Sequence, residues 1–543
     1  MEKADATLLL AYDLGTTGLK TCLYRFIRRP PAEGGDELGL AGSASARYAL
    51  SLGPRGEAEQ DVEDWWRAMA ATTREVLALT GADPRAIAGI SFCAQMQALV
   101  LVGEDGRALR PAMTYMDSRS EAEKRDFGGK GPRIAGLGLG LLLPSLLIAG
   151  GAAASAKDPP WKYRWVERNE PEVFARTSRW LDAKEALIAR ATGRFVMSRD
   201  SAFATFLMDS RPGKFRWSPL LARLHGVRLE HLPEIVESTE KVGGLTAAAA
   251  AELGLEPGTA VFAGGGDASL IGVGAGATEP GASHVYIGTS GWVSTVTNRR
   301  VVDTDRMIAS VVGARPGFYN YFAEQETSGK CLEWVRDHLA LDEVGVYLST
   351  VERRFGGDGE WRSLVDFLCA AIADEEPGAG GLVFAPWLRG SRCPDEDPDA
   401  RGIFIGIGLD TGKRRLIRAV VEGIALNKRI LIDACEKKVP VARTLRFAGG
   451  GALSDPLCRI LADATGRTVE AVEEPQNAGA AGAALVAAVG LGLAADLGAA
   501  SRAVRVRKSF APESANAAAY ERNYRVLSRL YAANRRFFAE LRG

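Results

Sequence analysis

The chain has 543 residues and carries 67 Lys plus Arg against 67 Asp plus Glu, a formal charge of zero. That length exceeds what one small core organises and predicts two or more domains, while balanced charge without a long basic run excludes a nucleic-acid or anionic-membrane surface as the main partner. Seven cysteines stand singly with no C-x-x-C spacing, and four histidines include no ligand pair. A disulfide framework, a zinc site and a histidine triad are not expected; the compartment reads as reducing and cytoplasmic, and acid–base chemistry falls to carboxylates.

In chain order, "MEKADATLLLAYD" opens with an acidic stretch and a short, strand-like apolar run that does not read as a secretory signal. It leads into "DLGTTGLK", in which Asp13 precedes a turn between two apolar, β-rich segments, the pattern of a hairpin. Gly15 and Gly18 permit positive φ and close approach of backbone N–H groups, and Thr16 and Thr17 add hydroxyls, a combination suited to phosphate oxygens. Residues 134–156 are uncharged over a bilayer-spanning length, but repeated glycines and Pro144 make them a Gly-rich, partly buried loop and helix. "VFAGGGD" at 261–267 reads as a strand ending in three glycines and an acid, Asp267. A Gly, Ala and Pro-bearing stretch near residue 276 divides the chain into lobes 1–276 and 277–543.

The second part repeats the first. "YIGTSGWVS" provides Gly288, Thr289, Ser290 and Gly291 in a second hairpin turn, and "RFAGGGA" at 446–452 matches the earlier triple glycine. Gly449, Gly450 and Gly451 leave a flat surface for a purine. In "SDPLCRILADATGR", Asp455 is expected as N-cap, Pro456 in the first turn and Gly466 just past the helix end. "CPDEDPDARG" at 393–402 lacks the Gly and Glu of a calcium loop and reads as a solvated turn, and "RAVRVRK" at 502–508 as an edge strand. Neither a dinucleotide fingerprint nor a P-loop occurs. Two related mixed α/β lobes follow from this order. A polyphosphate held between two such hairpins needs a divalent cation, which Asp13 is placed to hold through water, and Asp267 stands where a general base for an incoming alcohol is needed.

These segments resemble the FGGY carbohydrate kinases, most nearly their xylulokinase branch, within the sugar kinase, Hsp70 and actin superfamily. "YDLGTTGLK" is similar to the first phosphate loop, "YIGTSG" to the second and "FAGGGALSDPLCRILADATG" to the adenosine motif, while "PWKYRWVERNEPE" and "RGIFIGIGLDTGKRRLIRAVVEGIAL" resemble the two signature segments apart from Lys157 and Arg415. The resemblance implies two actin-like, ribonuclease H-like α/β lobes closing on ATP, Mg2+ and a sugar or polyol, with no nucleic-acid or membrane partner; a homodimer is compatible with it. It implies ATP contacts from Thr16, Thr17, Gly18, Lys20, Gly288, Thr289, Ser290, Gly291, Gly329 in "SGKCLEW", Gly449, Gly450, Gly451, Ala452 and Ser454. On the acceptor side it implies Gln95, Met96, Gln97, Asp117 and Arg119, with Asp267 as catalytic base. Three positions depart from the xylulokinase pattern: Gln97 replaces His, Tyr115 replaces Trp and Ala268 replaces Asn. The acceptor therefore stays open between a pentulose such as xylulose and another ketose or polyol. A nucleotide-gated binding module and a silent sugar sensor are the rival readings; retention of Asp13, Thr16, Thr289 and Asp267 favours turnover.

Overall fold

The computed structural model describes residues 6–306, 308–340 and 364–541. Its first sheet begins with β1 (Ala6–Leu14), β2 (Gly18–Ile27) and β3 (Glu37–Arg47), an antiparallel meander. Helix α1 (Val62–Thr80) follows; Asp61 accepts from Glu63 N at its start, and Gly81, at φ +63°, ends it in the left-handed conformation. Strand β4 (Ile87–Ala94) returns parallel to β1. After α2 (Ala183–Thr192), strands β5 (Lys241–Gly244), β6 (Ala260–Phe262) and the two-residue β7 (Gly265–Gly266) complete the order β5-β6-β4-β1-β2-β3, with β7 pairing to the end of β4. Helix α3 (Asp267–Gly274) closes this part.

The second sheet uses β8 (Ser283–Ile287), β9 (Gly291–Thr297), β10 (Ala309–Val312), β11 (Tyr319–Gln325), β12 (Thr444–Ala448), β13 (Thr468–Val472) and β14 (Val506–Phe510) in the order β10-β11-β9-β8-β12-β13-β14. Among the described residues, the helices of ten residues or more threaded among these strands are α4 (Gly329–His338), α5 (Lys413–Glu436), α6 (Asp455–Thr465), α7 (Ala478–Gly490) and α8 (Ala517–Glu540). In each sheet an antiparallel trio leads to two further strands parallel to its first member: β3-β2-β1-β4-β6 matches β11-β9-β8-β12-β13. The two lobes are thus copies of one topology, as the repeated hairpins predict, and β14 is an edge strand as expected. The 134–156 segment forms short strands, a helix at Leu139–Pro144, one π turn and a loop, with Leu141, Ala149 and Ala153 buried. Among the described residues no helix is long and apolar enough to cross a membrane.

Two expectations are corrected. The triple-glycine turns do not occupy equivalent places: β12 lies directly beside β8, whereas β6 lies two strands from β1, so the sheet-level counterpart of β12 is β4. Similar glycine requirements at two strand ends produced the sequence match. The N-cap of α6 is Ser454, whose Oγ accepts from Leu457 N at 3.4 Å, and Asp455 begins the helix itself, paired with Arg507 and Lys508 at 2.7 Å. A carboxylate in the first turn still meets the positive end of the helix dipole.

Strand β1 shows how packing is divided. Leu10, Tyr12 and Leu14 point to the face covered by α1 and α2, while Leu9 and Ala11 meet the alanines of α7 on the other face, the alternation expected of a strand buried on both sides. Helix α7 comes from the second half of the chain yet covers the first sheet, and α3 beside it reaches the second sheet at Trp292 and Ala448. The two helices meet backbone to backbone. A Cβ on Gly274 would overlap Ala478 O, and one on Gly482 would overlap Leu270 O.

Gly482→Ala is therefore expected to destabilise by roughly 1–3 kcal/mol through overpacking, outweighing the about 1 kcal/mol that alanine contributes to helix propensity. Gly140→Ala, where nothing lies within 4 Å of the added methyl, is the control. Denaturant midpoints measured side by side should separate the two; coincident midpoints would contradict the tight seam.

Candidate active site

The first hairpin turn, between β1 and β2, is tied from beneath. Tyr48 donates its hydroxyl to Gly15 O, Gln60 Nε2 donates to Thr16 O at 2.7 Å, and Gln95 Nε2 donates to Gln60 Oε1 at 2.9 Å. With those carbonyls occupied, exposed Thr17 stands at the tip and Thr16 Oγ1 donates to the Tyr115 hydroxyl at 3.2 Å. The glycines serve contact rather than unusual dihedrals. Gly15, Gly18, Gly288 and Gly291 all have ordinary φ, contrary to the positive φ anticipated for the first pair, but a Cβ on Gly18 would lie 2.6 Å from Ala46 O.

Asp13 lies on β1 opposite Lys20 of β2 and beside Cys93 of β4. The first turn of α7 covers it so closely that a Cβ at Gly479 would sit 2.8 Å from its Oδ2. Burial raises the Asp13 pKa, with Lys20 and the Cys93 thiol acting against the shift. Lys20 is itself engaged: its Nζ donates to Gln476 O and Asn477 Oδ1, both at 2.8 Å, fastening the hairpin to the start of α7.

Asp267 opens α3 immediately after β7. Because Gly265 pairs with Cys93 and Cys93 with Asp13, both carboxylates emerge at the same end of neighbouring strands, about 10 Å apart across two strand spacings. Asp267 Oδ1 accepts from Ala268 N at 2.8 Å. Burial first, then the charges of Asp13, Glu324 and Asp182, push its pKa up to about 7. Met96 covers the approach to this turn, since a Cβ at Gly266 would overlap its Sδ. From behind, Asp200 Oδ2 accepts from Gly266 N at 2.6 Å.

Gln97 follows in a left-handed conformation at φ +66°. Its N donates to Asp182 Oδ2 at 2.8 Å and its carbonyl accepts from Lys162 Nζ at 2.9 Å, so a residue type disfavoured there is held by two buried ions. The other acceptor-side candidates are placed differently. Gln95 is buried under the first hairpin. Asp117 is fully buried, accepting from Ala58 N at 2.8 Å and pairing with Arg119, which also reaches Glu59 at 2.8 Å and lies over the Trp165 ring. Asp117 and Arg119 thus neutralise each other, whereas Met96 packs at the turn that leads into Asp267 and exposed Tyr115 meets Thr16 of the first hairpin.

On the second lobe, α4 docks its first turn on the hairpin between β8 and β9: Gly329 N donates to Gly288 O at 2.7 Å and Lys330 N to Thr289 O at 3.1 Å. A Cβ on Gly329 would overlap Gly288 O. Gly449, at φ +91°, brings the triple-glycine turn against Ile287, where a Cβ would lie 2.5 Å from Ile287 O. A cavity of about 280 Å³ opens here, bounded by Gly288, Thr289, Gly329, Gly450 and Gly451, with Leu332, Leu368 and Arg336 on its outer wall. Ala452 is buried and Ser454 caps α6, so both stand behind this cavity. Sequence reasoning did not single out Leu332, Leu368 and Arg336, nor Tyr48, Gln60, Asp182, Lys162 and Asp200, which hold the site. Their partners are distant in the chain, and no local spacing marks them.

Residues 8–274 match the N-terminal domain, and residues 284–491 the C-terminal domain, of the FGGY family of carbohydrate kinases. The chain belongs to that family and is a sugar kinase. It is 28% identical over 539 residues to a xylulose kinase of Staphylococcus epidermidis, covering 98% of each chain, and 26% identical over 462 residues to a gluconokinase of Bacillus subtilis, covering 84% of this chain and 82% of that one. Its fold is similar to the crystal structure of a gluconate kinase from Lactobacillus acidophilus, with a TM-score of 0.81 and 23% identity over 99% and 100% of the two chains.

The raised Asp267 pKa has a consequence for stability. A group whose folded pKa exceeds its unfolded value stabilises fully only below the unfolded pKa, about 3.9 for Asp, and loses that contribution as pH rises through about 7. Asp267→Asn cannot ionise. It is expected to unfold roughly 2–5 °C above the parent protein at pH 8, with the gap closing towards pH 4.5; thermal unfolding across this range should show it, and a gap independent of pH would contradict the assignment.

Proposed function

We propose that the cleft transfers the terminal phosphoryl group of MgATP to a hydroxyl of a small sugar or polyol, a pentulose such as xylulose, with Asp267 as the general base. The observation that carries this reading is a carboxylate just past the end of β7, pushed up to about 7 by burial and by charges that include Asp13 of the first sheet and Glu324 of the second. A sugar hydroxyl cannot lose its proton unaided near neutrality, and a carboxylate poised there accepts it as the phosphoryl group leaves the donor. The hairpins at Thr16–Gly18 and Gly288–Gly291 hold the phosphates, and the cavity beside Gly450 and Gly451 takes the adenosine. Lobes 1–276 and 277–543 close on them, in the cytoplasm where both substrates are at hand.

Asp13 fits the cation. It is a half-buried hard carboxylate making no ion pair within 4.0 Å among the described residues, and no group of three His, Cys, Asp or Glu gathers there, the donor set expected for Mg2+ that keeps its water and takes phosphate oxygens. Bound there, Mg2+ neutralises charge on the polyphosphate. The protein's own residues do the rest: Ala268 N fixes the Asp267 carboxylate, Met96 shields it, and Asp182 with Lys162 fixes Gln97 at the acceptor.

Several xylulose kinase relatives at 26–28% identity support a pentulose acceptor, with gluconate the competing acceptor raised by the gluconokinase relatives, and Gln97, Tyr115 and Ala268 set the finer choice. A binding module or silent sensor has no use for a carboxylate poised near neutrality.

A coupled assay of ADP release over pentuloses, hexuloses, polyols and gluconate tests this directly. With the best acceptor, turnover should rise with pH through about 7, because the base must be ionised, and fall away below it. Asp267→Asn should lower kcat by roughly a hundred- to ten-thousand-fold with nucleotide affinity within a few fold. Near-normal turnover in that variant would remove Asp267 as base. Asp117 could not replace it, being buried in its pair with Arg119.

A further inference from the structure

Behind the second hairpin, on the sheet face packed by α4 and α5, three buried polar atoms have no hydrogen-bond partner among the described residues: Lys428 Nζ on α5, Ser328 Oγ at the start of α4 and Gln325 Oε1 at the end of β11. Two of them, Lys428 Nζ and Ser328 Oγ, lie against Gly291, the first residue of β9. A Cβ built there would overlap Lys428 Nζ and lie 2.6 Å from Ser328 Oγ, and Gln325 is the cross-strand partner of Gly291. Lys428 is wholly inaccessible to solvent. Other cations around the cleft are matched: Lys20 by Gln476 O and Asn477, Lys162 by Gln97 O and Thr114 O, Arg119 by Asp117 and Glu59, and Arg392 by Glu324 at 3.0 Å.

A lysine amine buried without a partner opposes folding, charged or neutral, so its retention at one place calls for an anion that arrives later. The turn in front of it is built for one. The carbonyls of Gly288 and Thr289 are turned back onto the N–H groups of Gly329 and Lys330, leaving the outer edge of the turn to the hydroxyls of Thr289 and Ser290. Glu324 does not serve as partner, because it occupies the opposite strand face and pairs with Arg392.

The geometry points to Lys428 as a positioning residue for the phosphoryl donor, drawing the polyphosphate onto the second hairpin from beneath Gly291 and separating a nucleoside triphosphate from the bare nucleoside. This rests on the hairpins being the MgATP site. Burial holds the Lys428 amine well below its ordinary pKa, opposed by the charge of Glu324 across β11 and by Cys331 on α4; β9 contributes no titratable group. A polyphosphate arriving nearby favours the charged amine, so donor binding takes up a proton.

Calorimetry with MgATP and with adenosine, in buffers of different ionisation enthalpy, tests this on the full chain. Lys428→Met and Lys428→Gln should each lose about tenfold or more in MgATP affinity and less than twofold in adenosine affinity, and should lose the proton uptake seen with the parent protein. The Gln variant keeps a polar end against Ser328 and Gln325 should the Met side chain not fit. An unchanged ratio of MgATP to adenosine affinity, or equal loss of both ligands, would overturn the role of Lys428. Failure of the parent protein to bind MgATP at all would instead overturn the assignment of the hairpins beneath it.

Discussion

Two helices, α3 and α7, touch at a separation that only glycine allows, and the positions of the cleft groups follow from that contact. Gly274 and Gly482 bring each helix onto the other's backbone, Gly479 sets the first turn of α7 on the Asp13 carboxylate, and Lys20 ties the first hairpin to the residues just before α7. Since α7 covers the first sheet while α3 reaches the second, the seam places the strand ends of both lobes around one space. A methyl group at either glycine pushes on backbone atoms, which cannot rotate away as a side chain can.

The same packing generates the electrostatics. Asp13 and Asp267 leave water at strand ends two spacings apart, and burial raises both pKa values, with the Asp13 charge adding to the rise at Asp267. Such an arrangement is costly for a resting protein and useful for one that must accept a proton near neutrality. At Asp117 the charge is instead matched, by Arg119, which also reaches Glu59.

The hairpins, the repeat of the lobes, the edge strand and the loop-like 134–156 segment were legible in the sequence because each rests on a local rule, such as alternation along a strand or glycine at a tight contact. The structure departs from the sequence reading where sheet order or an adjacent side chain decides the outcome. The triple glycines at 264–266 and 449–451 look alike because both end strands against a neighbouring backbone, yet sheet order separates them. Asp455 has the chemistry of an N-cap, but Ser454 one residue earlier takes the position. Asp117 and Lys20 read as site residues by motif; in three dimensions each also carries a structural contact, Asp117 to Arg119 and Ala58 N and Lys20 to Gln476 O and Asn477. Nothing in the spacing of Tyr48, Gln60 or Lys162 announces that they hold the turns in place.

The hairpins of the two lobes are expected to grip one polyphosphate together, and amide hydrogen exchange reports on both at once. Amide exchange at residues 14–20 and 287–291 should slow together when MgATP is added without a sugar, because the seam already sets the two turns across a single space. Slowing at only one of the two hairpins would contradict the account.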